Sequence, residues 1–351
     1  MEVMRLFSSN KTSACQLIFY KYGDPTKVVE KETLILPAKP QPHEVIVEML
    51  ASPVNPGDIN TIQGVYGVKP SLPSTPGNEG VGKVSQVGSA VMNLKVGDWV
   101  LPKNNGWGTW RSHVVSSSDD LIRIANDIPV ASAATMAANP CTAYRLLHDF
   151  VNVKPGDSII QNGANSSVGQ AVIQVARYFG LKTINIVRDR PDIKSLKDQL
   201  YELGADHVVT EEELKSFDVE KNGLKLPLLG FDCVAGKSGA NMLRKMDHNP
   251  TLITYGGMSK QPLVVPVSAL IFQNANFHGF WMSRWNRAND DSKERRDTME
   301  CLVDMVRKGS LVPPVHEIVH IDMYKDAIKK TMSSGNTTCP KQILVFNNSI
   351  K

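Results

Sequence analysis

Between Ala14 and about Pro129, apolar and polar residues alternate in short runs such as Glu44-Val45-Ile46-Val47-Glu48, broken by proline, glycine and asparagine. A period of two sends successive side chains to opposite faces of a pleated strand, so this part predicts a small β-rich domain. The longest irregular stretch, residues 55–80, is dense in glycine and proline and is the first candidate for an active-site loop. From Asn139 the period changes. Asn139 is placed to cap, and Pro140 to open, a helix reaching about Phe150. Short apolar strands are then predicted near 158–161, 183–187, 207–209, 231–234, 252–255 and 277–280, separated by helical or looped segments. That is the βαβ rhythm of a parallel, doubly wound sheet. A helix near 295–308, the pair Pro313-Pro314, a β-branched segment, a helix starting near Asp322 and a last strand at 342–346 break the rhythm. This tail predicts a return to the first domain, with the middle part inserted.

At 351 residues the chain exceeds what one hydrophobic core organises, and 42% hydrophobic residues suffice for two. The formal charge of +4 is dispersed, so electrostatics do not point to nucleic acid. No apolar run reaches the roughly 20 residues that span a bilayer. Five scattered cysteines without a Cys-x-x-Cys pair fit a reducing compartment and neither a disulfide framework nor a thiolate zinc site. Residues 1–12 carry Arg5, Lys11 and serines, but also Glu2, a weak match to the end of an organelle presequence.

The central chemical signal is the segment from Ser158 to Gln170, a strand, a small-residue turn and a helix start. Gly163-Ala164-Asn165-Ser166-Ser167-Val168-Gly169 is a degenerate dinucleotide fingerprint that keeps the last glycine. Small residues let backbone approach a pyrophosphate, and the helix offers it unpaired N–H groups. Val168, Ala171, Val172, Val175, Ala176 and Phe179 form the stripe that packs on the sheet. The middle part is therefore expected to be a Rossmann-type domain. Arg188-Asp189-Arg190 ends its second strand, nineteen positions past Gly169, where a protein that takes NAD presents a lone carboxylate to the ribose. Two guanidinium forks suit a 2′-phosphate, which favours NADPH; the other reading has Asp189 gripping the ribose of NAD.

Two motifs are expected to mislead. His316-Glu317-Ile318-Val319-His320 matches the zinc-protease H-E-x-x-H, but prolines precede it and β-branched residues fill it, predicting a strand rather than the helix that chemistry needs. Gly236-Lys237-Ser238 looks like the end of a P-loop with the wrong spacing, and is expected to be a turn after a strand.

With these residues in place, the chain resembles the zinc-free medium-chain dehydrogenase/reductases, and within them the mitochondrial 2-enoyl thioester reductases. The segments NPGDINTIQGVYG, PGNEGVG, GTWR, NPCTAYR, INIVRDRPDI, TYGGM and GFWMSRW carry the resemblance, which runs from about Cys15 to Val345. It implies an α/β fold: a GroES-like β-rich catalytic domain, residues 1–135 and 313–351, around an inserted Rossmann doubly wound parallel sheet domain, residues 136–312. It implies NADPH, and a catalytic Tyr66. It assigns to the cofactor Asn139, Asn165, Ser166, Ser167, Val168, Arg188, Asp189, Arg190, Tyr255, Gly256, Gly257, Met258, Phe280, Trp281, Met282 and Lys341. Ser167 stands where relatives often have glycine, and the tail 347–351 is unmatched. Bland roles stand beside these: Asn139 as a helix cap, Tyr66 as a packing side chain, Trp281 and Trp285 as core or as an acyl-chain wall.

The implied reaction delivers hydride from NADPH to the β-carbon of a 2-enoyl thioester of coenzyme A or acyl carrier protein, in mitochondria, with the Tyr66 hydroxyl either hydrogen-bonding the thioester oxygen or helping to protonate the α-carbon. A homodimer formed through the Rossmann domain, with 263–281 as contact, is implied as well. Arg284, Arg287 and Lys260 are candidate docking charges for the carrier, although a solvated surface is the favoured reading of them. A quinone or enone reductase, or a catalytically idle NADPH-binding partner protein, are the alternatives.

Overall fold

The computed structural model describes residues 14–333 and 339–347, so the presequence-like residues 1–12 and the end of the tail lie outside the described residues. The chain forms two compact units, one of residues up to 124 with 318–329 and 343 onward, the other of residues 125–317 and 330–342.

In the first unit β1 (Ala14–Phe19) and β2 (Val29–Leu34) pair antiparallel. The long strand β3 (Glu44–Pro53) pairs antiparallel with β4 (Val81–Val87) and β6 (His113–Ser117), and β4 leads on to β5 (Trp99–Pro102) and β7 (Leu121–Ile124). The period of two is visible in the packing: Val45, Val47 and Met49 of β3 enter one core with Val84, Val100, Val114 and Leu121.

The irregular stretch 55–80 is not all loop, because Pro56–Ile62 is a helix. Its local code is Asn55, Pro56 at the first turn, and Asp58, whose Oδ2 accepts the Asn55 N–H at 2.8 Å. Ile59 and Ile62 bury against Leu17, Phe19 and Trp110, which fixes where the following loop begins.

The second unit holds a six-stranded sheet of β8 (Ser158–Gln161), β9 (Lys182–Val187), β10 (His207–Thr210), β11 (Leu229–Asp232), β12 (Thr251–Thr254) and β13 (Asn276–Gly279). All pairs are parallel and the order is β10-β9-β8-β11-β12-β13, the doubly wound arrangement whose direction reverses between β8 and β11. Helix Ser167–Tyr178 follows β8, capped by the Ser166 hydroxyl, which accepts the Gly169 N–H at 3.1 Å. The last strands, β14 (His316–His320) and β15 (Lys341–Val345), join the sheet of β3, with β15 antiparallel to it. His316 and His320 thus sit in a strand as expected, about 13 Å apart along it, too far to share a metal ion.

Three local expectations are corrected. Asn139 does not cap its helix; it is the first residue of Asn139–His148, and Ala138, already helical at φ −98 and ψ −66, holds the cap position. The chain arrives directly from the short helix Val130–Ala134, so no extended residue is available to cap. The strand expected at 231–234 ends at Asp232, because the Val234 and Ala235 N–H groups turn back to its carboxylate. Gly236-Lys237-Ser238 is the first turn of helix Gly236–Leu243 rather than a bare turn.

The retained fingerprint glycine has a steric reason. A Cβ on Gly169 would stand 2.6 Å from the Cα and carbonyl oxygen of Ala164, backbone that cannot swing aside. Gly169→Ala is expected to cost about 1–3 kcal/mol. Denaturant unfolding measures that cost, and a variant as stable as the parent would contradict the close helix–strand approach.

Candidate active site

The crevice of a doubly wound sheet lies at the carboxyl ends of its strands, where the order reverses. Here the ends of β8 and β11 are tied by a buried network. Asp232 is fully buried, and its Oδ1 accepts from Asn162 Nδ2 at 2.6 Å, Val234 N at 3.0 Å and Ala235 N at 2.8 Å. Thr254 Oγ1 donates to its Oδ2 at 3.3 Å, and Asn162 Oδ1 in turn accepts the Cys233 N–H at 2.8 Å. A buried carboxylate is tolerated when saturated in this way.

Around this lock three loops meet. Gly163, at φ +57, passes so close to Cys233 that a Cβ would stand 2.4 Å from its Sγ. Gly256 packs on the Cys233 backbone, and Met258 N–H donates to the Cys233 carbonyl at 2.9 Å. Burial pushes the Cys233 thiol up to about 11 and holds the Tyr255 phenol well above its ordinary value, so neither ionises near neutral pH. Asn165, Ser166, Ser167 and Val168 border the same place, with Ser167 and Val168 in the first turn, where helical N–H groups lack intrahelical acceptors. Tyr255 and Gly256 are therefore brought to the fingerprint turn, while Gly257 and the exposed Met258 lie further out.

Arg188, Asp189 and Arg190 follow β9. The Asp189 carboxylate is turned onto its own chain, accepting the Arg190 N–H at 2.9 Å. Arg188 is exposed and, among the described residues, has no ion-pair partner. The site thus offers cationic groups at the end of β9, with the intervening acid partly engaged.

At the other end, Phe280 follows β13, donates its N–H to the Thr254 carbonyl at 3.0 Å and packs edge-on against Phe150. Trp281 precedes helix Met282–Ala288 and is half-buried between the guanidiniums of Arg284 and Arg287, 5.8 and 5.2 Å from its ring centre. Arg145 lies over Trp285 at 4.6 Å. Asn139 and Ser167 line one small hollow together with Ser132, Thr135 and Gln170. The Asn139 Nδ2 and Ser132 Oγ are buried there without a hydrogen-bond partner among the described residues. Asn139, which does not cap its helix, thus presents a donor with no partner among the described residues.

The residues fit a dinucleotide: turn backbone at Gly163 that no Cβ could occupy, the start of helix Ser167–Tyr178, arginines past the end of β9, and the unpartnered Asn139 Nδ2.

Tyr66 belongs to the other unit. Its ring lies over Gly57, whose Cβ would stand 3.8–3.9 Å from ring carbons and the hydroxyl, and its N–H donates to the Asn60 carbonyl at 3.2 Å. Residues not singled out in the sequence hold the helix before it and the loop around it. Asp58, 1% exposed, accepts from Asn78 N at 3.0 Å and Asn78 Nδ2 at 2.6 Å, and Glu79 accepts from Asn55 Nδ2 at 2.7 Å. Tyr22 backs the loop from behind, packed on Gly64 and donating its hydroxyl to the Pro70 carbonyl at 2.6 Å. The signal for Asp58 and Glu79 was in plain sight, two acids inside the glycine- and proline-containing turns NPGDIN and PGNEG. Lys341 opens β15, where its N–H donates to the Val315 carbonyl.

Asp58→Asn leaves the shape but replaces one carboxylate oxygen by a donor facing donors, so it is expected to destabilise the chain by about 1–3 kcal/mol. Thermal unfolding measures this, and a loss below experimental error would contradict the scaffold role.

Among the described residues no three His, Cys, Asp or Glu side chains could hold a metal ion. Residues 41–126 match the family model of the alcohol dehydrogenase GroES-like domain, and residues 167–303 that of the zinc-binding dehydrogenase. The mitochondrial enoyl-[acyl-carrier-protein] reductase of Xenopus tropicalis is 50% identical over 97% of this chain and 97% of its own. The solved complex of Etr1p with NADP and crotonyl-CoA is 31% identical, covers 95% of this chain and 100% of that chain, and has a TM-score of 0.86. The mitochondrial 2-enoyl thioester reductase Etr1p/Etr2p heterodimer from Candida tropicalis matches equally, at 31% identity, the same coverage and TM-score 0.86. The chain belongs to the enoyl-[acyl-carrier-protein] reductase family of the medium-chain dehydrogenase/reductases.

Proposed function

We propose that this protein reduces the 2,3 double bond of trans-2-enoyl thioesters with NADPH, in mitochondria. The observation that carries the reading is its near full-length likeness to Etr1p, which was solved with NADP and crotonyl-CoA. When bound, NADPH would supply hydride to the β-carbon and become NADP⁺, and the α-carbon would take up a proton to complete the saturated thioester. The chain's own residues do the rest. Asn165 to Val168 receive the pyrophosphate on backbone N–H groups, Arg188 and Arg190 the 2′-phosphate, and Asn139 Nδ2 and the Tyr255 segment line the nicotinamide end. Gly257, Met258, Phe280, Trp281, Met282 and Lys341 border the remaining length. Charge that develops on the thioester oxygen needs a donor, and the Tyr66 hydroxyl is that donor. Its ring stands beside Gly57, where even an added Cβ would only just touch it.

Coenzyme A and acyl carrier protein both present phosphopantetheine and negative charge. Arg284 and Arg287, exposed beside Trp281, are placed to receive either, with Trp281 facing the acyl chain. Assembly as a homodimer through residues 263–281 is supported by the sheet edge at β13 and by Leu270, Ile271 and Phe272, which are 50, 67 and 75% exposed.

Two experiments test the assignment. Tyr66→Phe is expected to lower kcat by about a hundredfold, the scale of losing one donor to a developing oxyanion, with an unchanged NADPH dissociation constant. Parental turnover would remove Tyr66 from the chemistry. Replacing Arg188 and Arg190 together by glutamate is expected to raise KM for NADPH by about tenfold or more while leaving KM for NADH nearly unchanged. Equal effects on both cofactors would contradict the 2′-phosphate site.

A further inference from the structure

The register that pairs Val187 with Thr210 makes Arg188 and Glu211 the first residues past the ends of adjacent parallel strands, whose backbones run about 5 Å apart. Glu211 belongs to the same buried relay as the lock at the switch point. Asn162 Nδ2 donates to Ser238 Oγ at 3.0 Å, and Ser238, its hydroxyl proton thereby directed onward, donates to Glu211 Oε1. The second carboxylate oxygen, Oε2, is buried and has no donor among the described residues. Glu211 is therefore an oriented acceptor with one side unused, just past the end of the strand next to the one that leads into the arginines.

We propose that Glu211 reads the adenine of NADPH, its Oε2 accepting a hydrogen bond from the exocyclic amine; this rests on the NADPH reading above. The 2′-phosphate and the base are borne by the same ribose, so a phosphate on Arg188 brings the base within reach of the neighbouring strand ends, that of β10 among them. A carboxylate beside the phosphate itself would be repelled, whereas beside the neutral base it meets a donor. Hypoxanthine carries a carbonyl oxygen in place of that amine, and two acceptors would then face each other in a buried site. Ser238 keeps the orientation, because it occupies Oε1 and leaves only Oε2 to the ligand.

The test is fluorescence titration of the full chain with NADPH and with its deamino analogue, in which hypoxanthine replaces adenine; the reduced nicotinamide reports binding in both without turnover. The parent protein is expected to bind the deamino cofactor about tenfold or more weakly than NADPH, the scale of one hydrogen bond to a charged group against its absence. In Glu211→Gln, Ser238 still donates to the amide oxygen and the amide NH₂ faces the base, so the preference is expected to shrink to about threefold or reverse. Equal affinities in the parent protein, or an unchanged preference in Glu211→Gln, overturn the proposal. The parental ratio stands even if the variant fails to fold. Absence of NADPH binding to the parent protein would instead defeat the cofactor reading, and this inference with it.

Discussion

The site depends on one buried charge. Asp232 has no exposure, and the donors that saturate it come from the ends of β8, β11 and β12 at once. Each of those strands would otherwise end in independent loops, and ordering them on ligand binding would cost backbone entropy on the order of 1–2 kcal/mol per residue. Because a buried carboxylate short of donors is costly, the loops are held in the arrangement that satisfies it. The close passage of Gly163 past Cys233, and of Gly256 onto the Cys233 backbone, follows from that arrangement.

The first unit solves its own problem in a similar way. Asp58 and Glu79 are 1% and 2% exposed, and their acceptors collect Asn55, Asn78 and the turn that starts helix Pro56–Ile62. Tyr66 sits downstream of that helix, with Tyr22 behind its loop. In both units, then, polar groups buried at strand and helix ends do the positioning, while the apolar cores on the sheet faces supply the bulk of the stability.

Much of this was legible in the chain because it is local. The period of two in Glu44-Val45-Ile46-Val47-Glu48, the βαβ rhythm and the turn before Gly169 each depend on residues close in sequence, and strands β8 and β9 lie where the apolar runs put them. Three readings failed for tertiary reasons. Phe231 to Val234 is continuously apolar apart from Asp232, so pattern could not show that the aspartate ends the strand by capturing Val234 and Ala235. Asn139 has the right residue type for a cap, but the preceding helix supplies its own entry. Helix Pro56–Ile62 was hidden by the very glycine and proline content that made its surroundings look like loop. The Asn162–Ser238–Glu211 relay joins positions 76 and 27 residues apart, and no local pattern announces such a partner.

The most direct measurement of the central claim is the loss of NADPH absorbance on mixing the protein with trans-2-enoyl-CoA esters of several lengths, with NADH and a quinone as comparisons. Oxidation of NADPH by the thioesters, faster than by the quinone and faster than with NADH, is the result this account predicts. Turnover with quinone and none with any thioester would keep the nucleotide crevice but contradict both the substrate and the part given to Tyr66.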